Sequence, residues 1–303
     1  MSRLTVQLAR LIPESLEKII RSFRDSYLRR YKVEMLPSEI YSNDLHFYKI
    51  SLCTTCKNRK WQLEQTLPKN IKDNLDYPNI EICVIDYNSN DGLYEYIKEN
   101  FSDYIKRGKL KFIHTGEPEF FHCSKSKNLA HYFAEGDILC NVDADNYTGE
   151  DFAYYLNYLY NKEGMDMIYN FKKAPYWGTE GRISIARKHF LALGGYDESF
   201  YPTGHQDHDL MGRGEAYGLK KKIVGVENFL KFISNTQVDK VKDMEKSPKS
   251  WEYYNEANKK VSNDNIANGH LFANQDIDKT IEVEINFAAQ KAHYKPLQRR
   301  DEA

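Results

Sequence analysis

Residues 137–146 read Asp-Ile-Leu-Cys-Asn-Val-Asp-Ala-Asp-Asn, a short apolar run that ends on two carboxylates set two positions apart. Acids at the end of a hydrophobic strand require a reason, because an unpaired charge is expensive to bury. Hard divalent cations prefer oxygen ligands, and two carboxylates at such a strand end can hold one ion against a diphosphate. Most Asp-x-Asp pairs are solvated turns, so it is the position of Asp143 and Asp145 behind the apolar run that carries the reading.

Upstream the same pattern repeats. Residues 48–55, 80–87 and 110–114 are further apolar runs, each followed by polar turn residues and then by helical spacing, as over 124–134 and 150–160. Alternation of this kind from about residue 46 to 227 requires crossover helices packed on a parallel sheet. The expected fold is therefore α/β, a doubly wound, mostly parallel sheet with helical extensions at both ends. Ligands then belong at the carboxyl ends of the strands, where the segments Thr54 to Arg59, Asp86 to Gly92 and Asp143 to Asn146 are polar.

Outside this core, Leu16, Ile19, Ile20, Phe23 and Tyr27 recur at helical spacing in a stretch whose basic residues outnumber its acids. Residues 1–45 are thus expected to form a basic amphipathic helical extension packed on the core. Docking on a membrane surface, or pairing in a homo-oligomer, is the sharper alternative. The core is expected over 46–233. Residues 234–303 should form a helical or irregular tail closing on it, with a helix around SPKSWEYYNEANKK.

Composition narrows the function classes. Hydrophobic residues at 41% and charged residues at 29% mark a globular chain rather than a disordered one. With 43 Lys and Arg against 44 Asp and Glu, there is no global field to attract nucleic acid, and no nucleic-acid partner is expected. No run approaches the roughly 20 apolar residues that span a bilayer, and the start lacks the apolar core of a secretory signal. The expected location is the cytoplasm, with peripheral contact at the inner face of the membrane as the variant. Cys53-x-x-Cys56 has no second Cys/His pair at finger spacing and reads as a strand end rather than a zinc or redox site.

A second constellation lies in residues 194–210, GGYDESFYPTGHQDHDL. Asp207, His208 and Asp209 stand where a helix begins, and a carboxylate there is held as the anion by unpaired amides, which suits a general base or a cap. His205 and His208 make only a weak metal pair, since no carboxylate is fixed beside them by spacing.

Taken in order, the DAD strand end, GGYDESF and QDHDL resemble the family 2 glycosyltransferases, above all those with a galactosyltransferase-like C-terminal module whose signature runs Gly-Gly-Glu-Asp-Asp-Asp. The resemblance spans roughly residues 48–227 and implies the GT-A fold, a UDP-sugar donor, and Mn2+ or Mg2+. It also implies transfer of a hexose or N-acetylhexosamine, galactose-type first, to a glycan or lipid-linked glycan acceptor in bacterial polysaccharide synthesis. Carried over position by position, it makes Asp207 the catalytic base and Asp145 the metal ligand, with Asp143 facing the ribose and also available to the metal. Thr54, Lys57, Asn58 and Arg59 match the loop that holds the nucleotide, Asp86, Asn88 and Asp91 the base-contacting loop, and Lys127 and Asn128 the helix over the uridine. Gly178, with Thr179, Gly181 and Trp177 nearby, matches the turn lining the donor sugar, and Asp209 joins the donor-binding set.

The chain also departs from the pattern. Gln206 stands where the family has Glu before the base, and Thr203-Gly204-His205 replaces Trp-Gly-Gly, the usual acceptor platform. The third metal ligand, often His, is absent from FISNTQVDK; Asn235 is nearest, with Asp239 and His270 as substitutes. These departures motivate a competing reading, a non-catalytic sugar-nucleotide-binding or assembly subunit. A sugar-nucleotide pyrophosphorylase would carry a Gly-rich basic phosphate loop near its start, which this sequence lacks.

Overall fold

The computed structural model describes residues 36–173, 177–236 and 238–296, all within the compact unit Leu36–Ala303. Of the basic amphipathic extension expected over residues 1–45, residues 1–35 lie outside the described residues, and the remainder holds one 3-10 turn, Ser38–Tyr41.

Strands β1 (Ile50–Cys56), β2 (Ile80–Tyr87), β3 (Leu110–Thr115) and β4 (Ile138–Asn141) form the centre of one sheet and run parallel. Every residue of β1, β2 and β4 is buried, as a sheet covered on both faces demands. Their side chains divide by the two-residue period of a strand. Leu52, Val84 and Phe112 face one core, built with Leu63, Leu67 and Ile71 of helix α1 (Lys60–Asn74), Ile97 and Phe101 of α2 (Leu93–Lys106), and Phe152 and Leu156 of α4 (Phe152–Glu163). Cys53, Cys83, Ile85 and Ile113 face the other, against Leu129 of α3 (Cys123–Tyr132), Phe190 of α5 (Arg187–Ala192) and Leu210 of α6 (Gln206–Tyr217). The cysteines are buried free thiols in or beside this sheet, apart from half-buried Cys123.

The full order is β7-β5-β6-β4-β1-β2-β3-β8-β9, adding β5 (Met167–Phe171), β6 (Ile183–Ala186), β7 (Lys220–Val224), β8 (Ile281–Ile285) and β9 (Lys291–Tyr294). The pairings leave only β6 and β8 running against the rest, so the sheet is mostly parallel. The expected C-terminal helix is α7 (Trp251–Ala267), capped by the Ser250 hydroxyl on the Tyr253 N–H. The hairpin β8–β9 that follows departs from the helical or irregular tail expected over 234–303. It extends the central sheet from β3, and Tyr294 is buried with its hydroxyl on Glu198. Among the described residues no helix is long and apolar enough to cross a membrane.

Candidate active site

The sheet places four strand-end loops side by side, and the sequence decides which of their polar groups stay available. At the end of β4 the chain turns over Asp143 and Asp145, with the Asn146 N–H on the Asp143 carbonyl at 2.8 Å. Asn141 braces Asp143 from below, donating to its Oδ1 at 2.9 Å and to the Gly181 carbonyl at 2.8 Å. Gly181 is glycine because a Cβ would lie 2.5 Å from Asp143 Oδ2 and 3.3 Å from Lys127 Nζ.

Lys127 is the hub of the arrangement. Its side chain, on α3 and 4% exposed, puts Nζ 2.7 Å from Asp207 Oδ1 and 3.6 Å from Asp143 Oδ1, and 5.3 Å from the Tyr196 ring centroid. Burial alone would lower its pKa, but Asp143 and Asp207 hold it well above the ordinary lysine range. Asp207, in the first turn of α6, therefore shares one space with the β4 loop. Burial raises its pKa despite the opposing pull of Lys127, so it is a stronger base than a free aspartate and remains tied to a cation. Gln206 steadies it, with Nε2 3.1 Å from Asp207 Oδ2.

Asp143 and Asp145 diverge electrostatically. Burial pushes Asp143 up, but Lys127, the Asn141 hydrogen bond and Arg182 together bring it below the usual carboxylate value. Asp145, 9% exposed, is raised to about 6 by burial and then by the charge of Asp143, with Arg59, Asn146 and Asn235 offsetting part. Its oxygens receive the amides of Asn146, at 2.6 Å, and of Asn235. Asn235 arrives on the segment after β7, which is stitched across the loop by the Ile233 N–H on the Asp145 carbonyl and the Tyr147 N–H on the Lys231 carbonyl. The same strap reaches the β1 loop, where Arg59 Nη2 donates to the Asp239 carbonyl at 2.6 Å and Asn58 Nδ2 to Asp243 at 2.8 Å.

These contacts bear on whether a divalent cation fits. Asp143, Asp145 and the Asn235 amide provide oxygen donors of the kind such a cation takes. Asn235 now turns its nitrogen to Asp145 and gives its oxygen to Gln62 Nε2 at 2.6 Å, while Gln62 Oε1 is buried without a partner. A concerted turn of both amides would present Asn235 Oδ1 to Asp145's side and its Nδ2 to Gln62 Oε1. The donor set fits on that condition. Asp239 is instead bound to Thr236, and His270 closes the end of α7 through its N–H on the Asn265 carbonyl. Among the described residues no group of three or more His, Cys, Asp or Glu side chains is placed to hold a metal.

Several residues expected to meet the nucleotide are spent inside the fold. Asp209 is fully buried, paired with Arg213 at 2.7 Å and accepting from the Ser262 hydroxyl at 2.8 Å, so it joins α6 to α7 rather than facing a donor. Asn128 is likewise fully buried, with its amide on the Tyr196 carbonyl and Glu198 and its oxygen on the Tyr196 N–H. Asp86 gives one oxygen to His114 and the other to the Ser89 N–H. Lys57 donates to the carbonyls of Tyr87 and Asn88, and its pKa is lowered by burial. Asn88, with positive φ, reaches the Pro118 carbonyl. Asp91 accepts the Lys60 N–H at the start of α1. Thr54 lines an interior cavity under α1 with Leu63, Leu67 and Asn70. Gly178 contributes its carbonyl to Asn146, and Phe232 leaves no room there for a Cβ. Asp209, Asn128, Asp86, Lys57 and Thr54 are buried with their polar atoms engaged or covered, while Asn88, Asp91 and Gly178 are engaged within the fold but remain part-exposed.

Arg182 was missed. Fully buried, it holds the Phe229 carbonyl, Asn146 Oδ1 at 3.0 Å and the Tyr147 carbonyl at 2.9 Å, fixing the turn after Asp145. Its signal in the sequence is an arginine directly ahead of the apolar run Ile-Ser-Ile-Ala of β6.

Sheet order, strand-end acids and covering helices together define the GT-A class of α/β fold. Residues 51–189, just under half of the chain, match the family model described as Glycosyl transferase family 2. No protein among the curated sequences matches the chain. Among solved structures, it is similar to the mannosyltransferase PcManGT from Pyrobaculum calidifontis in complex with GDP-Man and Mn2+, at 17% identity and TM-score 0.50, over 68% of this chain and 62% of that one. TarS 1-349 from S. aureus shows 15% identity and TM-score 0.48 over 58% of each chain. The chain thus spans less than two thirds of these structures, and the likeness is one of fold.

Proposed function

We propose that the protein is an inverting glycosyltransferase that moves a hexose or N-acetylhexosamine from a UDP-sugar to a hydroxyl of a glycan or lipid-linked glycan. The observation that carries this reading is the single ammonium of Lys127 lying between Asp143 of the strand-end pair and Asp207. A diphosphate at the β4 loop and an acceptor hydroxyl at Asp207 would then approach one sugar from two sides.

The acceptor oxygen attacks the anomeric carbon as the bond to the diphosphate oxygen breaks, and the hydroxyl proton passes to Asp207. One carboxylate suffices, because a single displacement inverts configuration and forms no covalent intermediate. The raised pKa of Asp207 favours that proton transfer, and Gln206 fixes the direction of the receiving oxygen. Lys127 stands where negative charge develops on the leaving group and is already desolvated, which makes its field effective. Asp145, Asp143 and Asn235 would hold Mg2+ or Mn2+, which when bound supplies electrophilic neutralisation of the departing diphosphate.

Nucleotide release from a panel of UDP- and GDP-sugars with Mn2+ tests this reading. Turnover with a UDP-hexose, lowered roughly a hundredfold or more by Asp207→Asn and also lowered by Asp145→Ala, is the expected result. Wild-type rates in both variants sink it. The altered segment around Gln206 and the Asn at position 235 favour a second reading, a nucleotide-sugar-binding subunit. Calorimetric binding of UDP with Mn2+ but no turnover on any acceptor would select that instead.

A further inference from the structure

Two tyrosines beyond the segment matched by the family model stand open to solvent against each other. Tyr201 is 48% exposed and Tyr253 43%, with ring centroids 6.0 Å apart. Both lean on Tyr254, which is buried, at 5.9 and 5.8 Å. Tyr254 is fixed in turn, its hydroxyl donating to Glu245 and accepting the Lys249 N–H at 2.9 Å. Lys249 Nζ lies 4.1 Å from the Tyr253 centroid and donates to its hydroxyl at 3.0 Å. The result is a corner of two exposed rings inclined at 67°, with the Lys249 ammonium over one face of Tyr253 and hydroxyls along the rim. A pyranose has the matching chemistry, a face of C–H bonds and an edge of hydroxyls.

The patch is built onto the catalytic loop. Residues 201–205 run from Tyr201 directly into α6, whose first turn carries Asp207. Asn258 of α7 clamps that loop, accepting the Tyr201 N–H at 2.8 Å and reaching the carbonyls of Tyr201, Thr203 and Gly204 at 3.2, 2.9 and 2.8 Å. Gly204 must be glycine here, since φ is +88° and a Cβ would stand 2.7 Å from the Asn255 Cα. From the other side the Cys123 N–H, at the start of the helix that carries Lys127, holds the Pro202 carbonyl at 2.7 Å. Tyr253, about one and a half turns before Asn258 on α7, therefore keeps a fixed relation to the loop of the base.

We propose that Tyr201 and Tyr253 form an acceptor subsite that stacks a pyranose ring of the glycan whose hydroxyl is delivered to Asp207. The subsite rests on the transferase reading above, and it supplies the aromatic surface that Thr203-Gly204-His205 does not. Tyr201 and Tyr253 touch the sugar through ring faces, so loss of either ring weakens the acceptor and leaves the nucleotide alone.

Saturation-transfer NMR on the full chain, with the methyl β-glycosides of galactose, glucose and N-acetylglucosamine as probes, tests the proposal. At least one glycoside should show transfer to its C–H protons. Its affinity should fall roughly tenfold or more in Tyr201→Leu and in Tyr253→Leu, which keep apolar bulk but remove the ring, and survive in Tyr201→Phe. UDP binding with Mn2+, measured on the same samples, should be unchanged and also reports that the variants are folded. Absence of transfer from every glycoside, or equal transfer in the two leucine variants, overturns the subsite. Hydrolysis of the donor without acceptor is read separately, so a failed subsite with intact hydrolysis leaves the transferase reading standing.

Discussion

Replacing Asp145 by asparagine should stabilise the cation-free protein at neutral pH. Burial and then the charge of Asp143 raise the Asp145 pKa from 3.8 to about 6. At about 1.4 kcal/mol per pK unit, its ionised form costs the native state about 3 kcal/mol, and at 9% exposure little of that is screened. The sign follows from protonation. Below 3.8 the group is protonated in both states and costs nothing; between 3.8 and about 6 the unfolded chain ionises first and stability falls; above that the full cost applies. Asparagine removes the charge but points an amide at one of the two amides that Asp145 now receives, which costs about 1 kcal/mol until Asn235 turns. The net gain is about 2 kcal/mol, or about 4–8 °C in Tm for a domain of this size. Thermal unfolding in EDTA at pH 4.5 and pH 7.5 reads it: the variant should gain at pH 7.5 and lose most of that advantage at pH 4.5. Millimolar Mn2+ should raise the wild-type Tm and not the variant's, since only a native-state ligand stabilises. A gap independent of pH, or a variant that melts lower at pH 7.5, refutes the reasoning.

Three further outcomes follow from the same geometry. Lys127→Met removes the cation that opposes the burial of Asp207, so its pKa rises further and the acidic limb of the kcat/KM profile should move to higher pH, with stability down by about 3–5 kcal/mol in chemical denaturation. Gly181→Ala drives a methyl toward Asp143 Oδ2 and Lys127 Nζ, 2.5 and 3.3 Å from the Cβ position; calorimetry should show weaker UDP binding while the circular dichroism spectrum is kept. Asp209→Asn leaves Arg213 buried without its counter-charge and should cost about 3–5 kcal/mol of stability, yet the folded fraction should keep its activity per active molecule, because Asp209 ties α6 to α7 and touches nothing in the site.

The central sheet was legible because β1, β2 and β4 are buried on both faces, and such strands read as unbroken apolar runs between polar turns. The hairpin β8–β9 was not read, although IEVEI and KAHY alternate apolar and polar residues, because the runs are short and their place in the sheet comes from pairing with β3, a contact remote in sequence. Within the site, Asp143, Asp145, Lys127 and Asp207 converge as their positions at strand ends and helix starts suggested. The polar residues beside them did not follow suit. Asp86, Asn128 and Asp209 have the right chemistry at strand-end and helix-start positions, yet whether a side chain faces a ligand depends on which backbone groups need partners nearby. His114, Tyr196 and Arg213 claim those three; the Asp209–Arg213 pair stands at the i,i+4 spacing of one helix and was readable as such, whereas the other two pairings join segments that are remote in sequence.

The charge balance of the site explains why an external cation belongs to the proposed reaction. Lys127 is in direct contact with Asp207 and within 3.6 Å of Asp143, so its one positive charge is already divided between two carboxylates. Arg182 faces carbonyls and an amide oxygen rather than a carboxylate, and Arg59 is turned to the Asp239 carbonyl. Asp145 is thus the carboxylate without a contacting cation, and its raised pKa is the consequence. A nucleotide diphosphate would bring at least two further negative charges to the same loop. Among the described residues Lys127, Arg59 and Arg182 are committed in this way, and the field at Asp145 favours any species that enters with positive charge over one that enters without it. Donor and divalent ion are therefore expected to bind together rather than in either order with equal ease, because each relieves the repulsion that the other meets alone.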